Sequence, residues 1–307
     1  IAHYLIEPDM RHSLDYMSEI YLGHSPIRVE ELVGKGRNKI SIREAEIEQV
    51  KESATEDADM IFQLKNAFEP LLKERELERL LYDVELPLME VLADMEYQGV
   101  ALDTDFLGRY SEELEEEIKR LQECVHKAAG MMFNLDSPKQ LGDVLFGQMK
   151  LPYSGKKTKT GQYSTGEEIL SKLAQEHEIC RDLLSYRELV KLKSTYVDAL
   201  PVLVNKETGR VHTTFRQTIA NTGRLSAQNP NLQNIPIRTA RGREIRKAFI
   251  PRDNDHLLVS ADYSHIELRI SAGNSGDETM LEAFRSGQDI HATTAAKVFG
   301  VPLEEVS

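Results

Sequence analysis

The sequence predicts an α+β protein that is mostly helical and carries a small antiparallel sheet. Apolar residues recur every three or four positions over long stretches, which is the spacing of an amphipathic helix. Runs in which apolar and polar residues alternate are short and are concentrated after residue 200, which indicates a few strands. With 307 residues, the chain is also long enough for two or more domains, since single cores stop growing near about 250–300 residues.

The N-terminal third is predicted to be helical. Residues 1 to about 70 are acidic, and a glycine-containing loop near residue 36 interrupts their helical spacing. A second helical stretch, with apolar positions from Val84 to Met95, should end at Gly99 before a short extended segment.

Residues 105 to 200 are predicted to form a helical hairpin with a basic tip. Tyr110 and Ile118 lie on the apolar face of its first long helix, and helical spacing returns at Ile169. The loop between the two arms is rich in lysine and glycine and should be exposed. The helix boundaries are predicted from capping residues and a glycine stop: Asp103 or Thr104, Gly130, Ser137 with Gln140, and Ser164 or Thr165.

After residue 200 the pattern changes to β structure. Residues 202–217 contain two alternating runs around a Lys-Glu-Thr-Gly turn, which is typical of a β-hairpin. Further along, Leu257 to Val259 have the pattern of a short buried strand, and a helix is predicted to follow near Ile266. Asp262 lies at this junction.

The formal net charge is −13, which by itself argues against a nucleic-acid partner because phosphate binding depends on local positive charge. The charges are unevenly distributed, however. Between Asn205 and Ile250, nine basic residues stand against two acidic ones, so this basic segment carries a charge of +7. The basic segment is therefore a candidate surface for nucleic acid.

Cysteine usage and hydropathy indicate the compartment. Cys124 and Cys180 are too few for a disulfide framework and lack metal-ligand spacing, so we expect a reducing environment. No stretch approaches the roughly 18–20 apolar residues of a membrane helix, and the first residues lack the pattern of a signal peptide. We expect a cytoplasmic protein without a membrane partner. Because the sequence begins with Ile1 and stops without a closing element, we also expect a piece of a longer chain.

Asp262 has two interpretations. As a structural residue it would cap the following helix, and Ser264 with Glu267 three residues later also fits a capping box. As a functional residue it would be a carboxylate fixed at a strand end, where it could bind Mg²⁺ together with phosphate oxygens. One carboxylate does not decide between these interpretations.

Residues 218–239 also have two interpretations. From Asn221 to Gln233 nearly every side chain forms hydrogen bonds or favours turns, and Arg224 and Arg238 lie near the two ends. The run could be a polar surface loop. It could also follow a duplex, since Arg, Asn and Gln are the side chains that reach base edges and phosphates. Its position within the basic segment favours nucleic-acid binding.

Several motifs together resemble the family A DNA polymerases, the bacterial DNA polymerase I type. SADYSHIELR resembles motif A, the first polymerase motif of the family, and TGRLSAQNPNLQNIPIR resembles the primer–template-binding segment before it. GQDIHATTAAKVFG resembles the segment that leads into the fingers, while FNLDSPKQL and LVKLKSTYVDALP resemble the thumb and the return from it. SATEDADMIFQL resembles the last motif of the attached 3′-to-5′ exonuclease domain. The motifs occur in the order of the family and cover essentially the whole chain, which makes the resemblance specific.

The resemblance implies roles in catalysis and in nucleotide binding. Asp262 would bind both of two catalytic Mg²⁺ ions, and Tyr263 would contribute its backbone carbonyl. Glu267 would lie beside the sugar of the nucleotide and exclude ribonucleotides. His291 would lie near the phosphates of the incoming nucleotide, although it equally fits the first turn of a helix capped by Asp289.

The resemblance also implies contacts with DNA. Arg224 would reach the minor groove at the primer terminus, where acceptors lie at similar positions for every correct base pair. The residues implied as template, primer or backbone contacts are Asn231, Gln233, Arg238, Lys139, Lys156, Lys157 and Lys159. The lysines suit a thumb that holds the duplex backbone without reading its sequence.

Two residues depart from the family pattern. His265 stands where the family commonly has Gln, and Ser53 stands four residues before Asp57, where the exonuclease motif has Tyr. Serine lacks the phenol that orients the attacking water, so we expect no proofreading. The triphosphate-binding helix, the second catalytic carboxylate and the first exonuclease carboxylates are not found in this sequence.

The sequence therefore predicts a helical thumb and part of an antiparallel palm sheet, preceded by the helical tail of an exonuclease-like α/β domain. The predicted regions are the exonuclease-like tail (1–70), the palm base (71–104), the thumb (105–200), the first half of the palm with motif A (201–288) and the start of the fingers (289–307).

The predicted function is template-directed DNA synthesis by two-metal nucleotidyl transfer, with the 307-residue chain inactive alone. The expected partners are primer–template DNA and deoxynucleoside triphosphates, and the expected state is a monomer in the bacterial cytoplasm, associated with the nucleoid. Two alternatives are a non-catalytic DNA-binding or scaffolding protein that kept the thumb, and a nuclease built on residues 1–70.

Overall fold

A computed structural model describes residues 1–159 and 161–306. The chain divides into two compact units, Ile1–Asn254 and Asp255–Ser307, called here the first and second units. Thr160, in the predicted basic loop, and Ser307, the last residue of the predicted fingers segment, lie outside the described residues. The observed class is α+β and mostly helical with small antiparallel sheets, so the predicted fold class is confirmed.

The α-helices of the first unit are α1 (Ala2–Ile6), α2 (Leu14–Leu22), α3 (Val29–Val33), α4 (Ile47–Glu74), α5 (Glu78–Leu80), α6 (Leu86–Gln98), α7 (Thr104–Ala129), α8 (Pro138–Gly142), α9 (Glu167–Leu173), α10 (Glu178–Leu192), α11 (Ala199–Val202) and α12 (Ala240–Arg246). Those of the second unit are α13 (Ile266–Ser275), α14 (Glu278–Arg285) and α15 (Ile290–Phe299). Three π-helical segments, Leu81–Glu85, Asp143–Gln148 and Lys193–Val197, adjoin these helices. The strands are β1 (Val100–Leu102), β2 (Arg210–Val211), β3 (Thr214–Arg216), β4 (Ser226–Gln228) and β5 (Phe249–Ile250).

The first 74 residues form a small helical lobe around α4. The short helices α1 and α2 pack on α4, and the core of this lobe is a cluster of Ile6, Leu64, Phe68 and Leu72, which Leu81 joins from the π-helical segment that follows. Leu64, Phe68 and Leu72 are four residues apart on α4, so they lie on one face of the helix and leave most of its acidic residues exposed. The predicted helical character of this region is confirmed.

The larger core lies between α7 and α10. Leu107, Leu114 and Val125 on α7 and Leu183 on α10 have no exposed surface, and the two helices form the predicted hairpin. Burying a leucine side chain contributes about 1.5–3 kcal/mol, so this seam is a principal source of stability.

The predicted boundaries of the hairpin helices are mostly correct. The Asp103 carboxylate accepts a hydrogen bond from the backbone N–H of Phe106 at 2.8 Å, and the helix ends at Gly130 with φ +68°. Ser137 caps α8. The prediction that Ser164 or Thr165 caps α9 is wrong, because Gly166 precedes that helix and no side chain caps it.

Within residues 1–159 and 161–306, the strands form two sheets, of order β2-β1-β5 and β3-β4, and the pairs in them are antiparallel. The predicted hairpin over residues 202–217 is therefore wrong. The first residue of its first run, Val202, is the last residue of α11. Its second run contains β2 and β3, but β2 pairs with β1 and β3 pairs with β4. Alternation fixes which face of a strand is buried, but it does not select the strand that pairs with it.

Gly99 ends α6 as predicted and allows the chain to enter β1. It has φ +61° and ψ −172°, a backbone conformation that residues other than glycine rarely adopt. A Cβ at this position would lie 2.7 Å from the carbonyl oxygen of Val211 in β2. The close approach of α6 to the β2-β1-β5 sheet therefore depends on glycine.

In the second unit, the predicted buried strand at Leu257–Val259 is wrong. No strand is described within residues 255–306, and Leu257 and Val259 are 86% and 89% exposed. A strand forms only when its backbone groups pair with a neighbouring strand, and no described residue pairs with this segment in a sheet. Residues 257–263 are therefore an exposed segment without regular secondary structure, called here the motif A segment.

The helix that follows, α13, begins without a side-chain cap. Its N-cap residue is His265, which has a left-handed backbone conformation with φ +53°. The interpretation of Asp262 or Ser264 as its capping residue is therefore wrong. The Asp289 carboxylate does cap α15, accepting hydrogen bonds from His291 N at 2.7 Å and Ala292 N at 3.3 Å.

Across residues 1–159 and 161–306, none of the helices combines the length and the apolar character that crossing a bilayer requires.

Candidate nucleic-acid interface and metal-binding segment

The residues predicted to contact DNA in the 218–239 segment are all exposed. Arg224 follows a turn at its start, Asn231 and Gln233 lie at a 3₁₀ turn, and Arg238 precedes α12. These four exposed polar residues of one segment of the first unit are called here the strip. The strip is the surface expected if this segment follows a duplex.

Two residues of the strip also stabilise its own backbone. The side-chain oxygen of Asn231 accepts a hydrogen bond from Gln233 N at 3.1 Å, and Gln233 Oε1 accepts one from Ala227 N at 2.7 Å. Tyr196 fixes the next residue, since its hydroxyl donates to the Asn234 carbonyl at 2.5 Å. The strip is thus held in shape by contacts within the first unit.

A groove of about 810 Å³ lies between α10 and the residues that follow Gln233. Its charged lining consists of Arg238, which was predicted from the sequence, of Arg187 and Lys191, which were not, and of the acidic Glu167 and Glu188. The missed pair is four residues apart on α10, which places both side chains on one helix face. That spacing was the available signal.

Arg187 is anchored in the groove wall. Its guanidinium donates to the Thr165 carbonyl at 2.5 Å and to Thr165 Oγ1 at 3.1 Å. Burial lowers the pKa of Arg187, and the charge of Asp136 partly opposes this. Lys191 is exposed and is the more accessible of the two cations for a phosphate.

Several arginines of the basic segment bind protein groups. The guanidinium of Arg241 pairs with Glu117, and that of Arg210 donates to the Gln98 carbonyl at 2.6 Å. Arg243 donates to the Arg238 carbonyl at 2.9 Å, and Arg246 donates to the Ile235 carbonyl at 3.5 Å. The net charge of this segment therefore overstates the number of side chains that can reach a ligand.

The basic tip of the hairpin is fixed by tyrosines. The Tyr153 hydroxyl donates to the Lys156 carbonyl at 2.9 Å and accepts from Ser164 N at 3.0 Å. Lys157 Nζ lies 4.2 Å from the ring centroid of Tyr163, a cation–π contact. All four predicted thumb lysines are exposed: Lys139, Lys156, Lys157 and Lys159.

The predicted catalytic residues lie in the second unit. Asp262 and Tyr263 belong to the exposed motif A segment, where Tyr263 is 80% exposed. Glu267 is the second residue of α13 and is also exposed. Asp262 and Tyr263 thus precede α13, and Glu267 lies in its first turn.

His291 lies in the first turn of α15, and its ring centroid is 5.1 Å from that of His265. The structure thus brings together a residue implied in phosphate binding and one that departs from the family pattern. Hydrogen bonds from His291 N and then Ala292 N lower the pKa of the Asp289 carboxyl, which caps the helix. This capping holds the first turn of α15 in place.

The oxygen donors of the motif A segment fit a hard divalent cation in kind. Mg²⁺ is usually bound by one or two carboxylates together with waters and substrate phosphates, so Asp262 and the Tyr263 carbonyl could form part of such a site. Among the described residues, no three His, Cys, Asp or Glu side chains are grouped so that they could hold a metal ion. The remaining ligands would have to come from substrate, water or other protein residues.

The segment that resembles an exonuclease motif lies on α4. Ser53 is buried, and its hydroxyl lies 3.5 Å from the Ile27 carbonyl, so this position packs α4 against the preceding segment. The adjacent Glu56 accepts from Ile27 N at 2.7 Å, and this bond, followed by one from His24, lowers the pKa of Glu56. Asp57 is half-buried beside it.

Comparison with known proteins adds independent information. Residues 104–307 match the profile of DNA polymerase family A. The chain is 48% identical to a DNA polymerase I from Pseudomonas aeruginosa over 299 residues, which covers 97% of this chain and 32% of that protein. It is 42% identical to one from Borreliella burgdorferi over 307 residues, which covers 100% of this chain and 33% of that protein. The chain thus spans about a third of the length of these curated relatives.

A solved structure is also similar. The POL domain of Pol1 from M. smegmatis, in complex with DNA primer-template and dNTP, matches with a TM-score of 0.82 and 37% sequence identity. The match covers 100% of this chain and 50% of that one. Both kinds of comparison therefore agree with the motifs found in the sequence.

Proposed function

The chain belongs to DNA polymerase family A, and we propose that it is part of an enzyme that carries out template-directed DNA synthesis. The observation that carries this proposal is the exposed strip of Arg224, Asn231, Gln233 and Arg238, which continues into the groove beside Lys191. The similarity to a polymerase domain complexed with primer–template and dNTP supports DNA and deoxynucleoside triphosphates as partners.

The strip and groove suit a duplex held by its backbone. Phosphate contacts from Lys and Arg position a nucleic acid without reading its sequence. A polymerase requires such sequence-independent binding because it must act on any template. Arg224 is proposed to reach the minor groove at the primer terminus, where acceptors lie at similar positions for every correct pair. The lysines at the tip of the hairpin are proposed to contact the duplex backbone.

The proposed chemistry is nucleotidyl transfer. Asp262 and the carbonyl of Tyr263 would hold divalent ions, which we propose to be Mg²⁺. A bound metal pair would activate the primer 3′-hydroxyl and stabilise the leaving pyrophosphate. Glu267 is proposed to exclude a 2′-hydroxyl from the space beside the sugar. His291, in the capped first turn of α15, is proposed to lie near the phosphates of the incoming nucleotide.

We also propose the regional assignment. Residues 1–70 are taken as the tail of an exonuclease-like domain, 71–104 as the palm base and 105–200 as the thumb. Residues 201–288 are taken as the first half of the palm, and 289–307 as the start of the fingers. A monomer in the bacterial cytoplasm, near the nucleoid, is the state that we propose for the enzyme.

DNA binding is tested by fluorescence anisotropy with a labelled primer–template over a range of salt concentrations. Arg238→Ala should weaken binding and reduce the steepness of the salt dependence by about one phosphate contact. Arg79→Ala is the matched control, because Arg79 is an exposed arginine that pairs with Asp83 and does not line the groove. Equal behaviour of the two variants would contradict the proposed interface.

A second candidate is a non-catalytic DNA-binding scaffold. It is favoured by the single carboxylate of the motif A segment, because a chain with half of a metal site should bind a duplex without extending a primer. We propose that the 307-residue chain alone is inactive. Primer extension by this chain, purified free of other polymerases, would contradict that proposal.

Proofreading is proposed to be absent from the enzyme, since a buried serine at position 53 replaces the phenol expected there. Trimming of a mismatched 3′ end that is lost in Asp57→Ala would contradict this proposal. It would also favour the nuclease alternative built on residues 1–70.

A further inference from the structure

Tyr4 connects two distant parts of the first unit. It lies on α1, is only 4% exposed, and its hydroxyl donates to the Ala220 carbonyl at 2.7 Å. The same hydroxyl accepts a hydrogen bond from Gly223 N at 3.0 Å. One phenol therefore bonds both ends of the turn that immediately precedes Arg224.

The turn itself is narrow. Gly223 N also donates to the Ala220 carbonyl at 3.2 Å, and Gly223 has φ +79°. Three groups thus meet at one point: the phenol, a carbonyl and an N–H. A tyrosine hydroxyl is suited to this position because it donates and accepts at once.

A second contact supports the first. The Asn221 side-chain amide donates to Asp9 Oδ1 at 2.6 Å, so the exposed side of the turn is also bound to the N-terminal region. Arg75, the residue that follows α4, donates to the Ile6 carbonyl and pairs with Glu7 at 2.9 Å. The region that holds the turn is therefore itself bound at the C-terminal end of α4.

We infer that Tyr4 is a positioning residue for Arg224, so that the exonuclease-like lobe fixes the part of the polymerase surface that meets the primer terminus. This inference rests on the proposed role of Arg224 in primer binding. Arg224 is exposed and directly follows Gly223, the last residue of the turn. A rotation of the turn would therefore move the Arg224 guanidinium. The lobe thereby acquires a role in synthesis that does not require nuclease activity.

The test is a double-mutant cycle on the intact polymerase, measuring the dissociation constant for a recessed primer–template. Tyr4→Phe keeps the ring and removes both hydrogen bonds. It should weaken binding by about two- to tenfold, the range expected from the net contribution of one hydrogen bond. In an Arg224→Ala background the same change should alter binding less than twofold, because the side chain that Tyr4 positions is gone.

Thermal unfolding of the four proteins separates positioning from stability. Any decrease in melting temperature caused by Tyr4→Phe should be equal in both backgrounds. Its effect on binding should vanish in the Arg224→Ala background. Tyr21→Phe is the matched control, since the Tyr21 ring packs near His3 in the same lobe and its hydroxyl does not bond the turn. This variant should bind like the parent. Asp9→Ala removes the second contact and should reproduce the weaker binding.

The outcomes distinguish the inference from the function on which it rests. If Arg224→Ala binds primer–template normally, the proposed role of Arg224 fails, and the inference fails with it. If Arg224→Ala binds weakly while Tyr4→Phe binds normally, or weakens binding equally in both backgrounds, only the inference is overturned.

Discussion

Two regions of the molecule differ in how their apolar residues are covered. In the hairpin of α7 and α10, Leu114 and Leu183 are fully buried, whereas in the motif A segment Leu257 and Val259 are almost fully exposed. A helix satisfies its own backbone and needs only one face covered, while a strand needs neighbours along its edges. The comparison teaches that apolar spacing defines a helix locally and a strand only when its partners are present.

The largest expected effect is on catalysis, and it tests whether the carboxylate of the motif A segment takes part in the reaction. Asp262→Asn in the intact polymerase should lower the rate of primer extension more than about a hundredfold, because groups that merely orient metal ligands already cost about 10–100-fold. Primer–template affinity and melting temperature should change little, since α13 has no side-chain cap. Steady-state extension, binding and thermal unfolding are measured together. A near-normal extension rate would remove Asp262 from the mechanism.

The next prediction compares packing in the two regions directly with the same substitution. In the 307-residue chain, Leu114→Ala should lower the free energy of unfolding by about 2–5 kcal/mol, through lost burial and the cavity that remains. Leu258→Ala should change it by less than about 0.5 kcal/mol, because the side chain is 59% exposed. Urea denaturation measures both. A large effect of Leu258→Ala would show that this segment is packed in solution.

A smaller effect is expected in substrate selection. Glu267→Ala in the intact polymerase should raise incorporation of ribonucleotides relative to deoxyribonucleotides by at least about tenfold, because the space for a 2′-hydroxyl opens. If Glu267 served only to stabilise the start of α13, the variant would instead lose thermal stability and keep its sugar selectivity. The ratio of specificity constants for the two nucleotide types is the decisive measurement.

The smallest effect concerns pH and belongs to the N-terminal lobe. His3 Nδ1 and His12 Nδ1 are 2.8 Å apart, an arrangement that needs one donor and one acceptor and therefore excludes a pair in which both rings are protonated. Burial is the main cause that lowers the pKa of each histidine, and for His3 the charge of His12 adds to it while Glu7 opposes it.

Histidines in the unfolded chain have a pKa of about 6.5, so they bind protons below that pH, while the folded pair resists protonation. The chain should therefore be less stable at pH 5.5 than at pH 7.5, which chemical denaturation at the two values measures. His12→Gln should reduce this difference. Equal pH dependence in the parent and this variant would exclude the pair as its source.

Much of the first unit could be predicted because its determinants are local. The spacing of Leu107 and Leu114 defines a helix face, and Asp103 caps α7 through a neighbour three residues away. The pairing of β2 with β1 could not be predicted, since these strands are more than a hundred residues apart. The contact of Tyr4 with Gly223 has the same origin.

The candidate site was predictable to a different extent. Family motifs identified Asp262 and Arg238 by residue type, but no spacing indicated that the Asn231 and Gln233 side chains would also bind their own backbone. The spacing of Arg187 and Lys191 indicated a shared helix face, but the groove that this face forms with residues 233–239 arises only on folding. Motifs identify chemical groups, whereas grooves arise from contacts between segments that are distant in sequence.

The arginines that bind carbonyls within the basic segment have a consequence for the kinetics of association. Arg243 and Arg246 keep their charge when they donate to neutral carbonyls, so they still contribute to the electric field around the groove. That field accelerates the diffusional encounter with a polyanion, while the lifetime of the complex depends on side chains that reach the phosphates. For the proposed DNA partner, we therefore expect the rate of association and the lifetime of the complex to depend on different arginines.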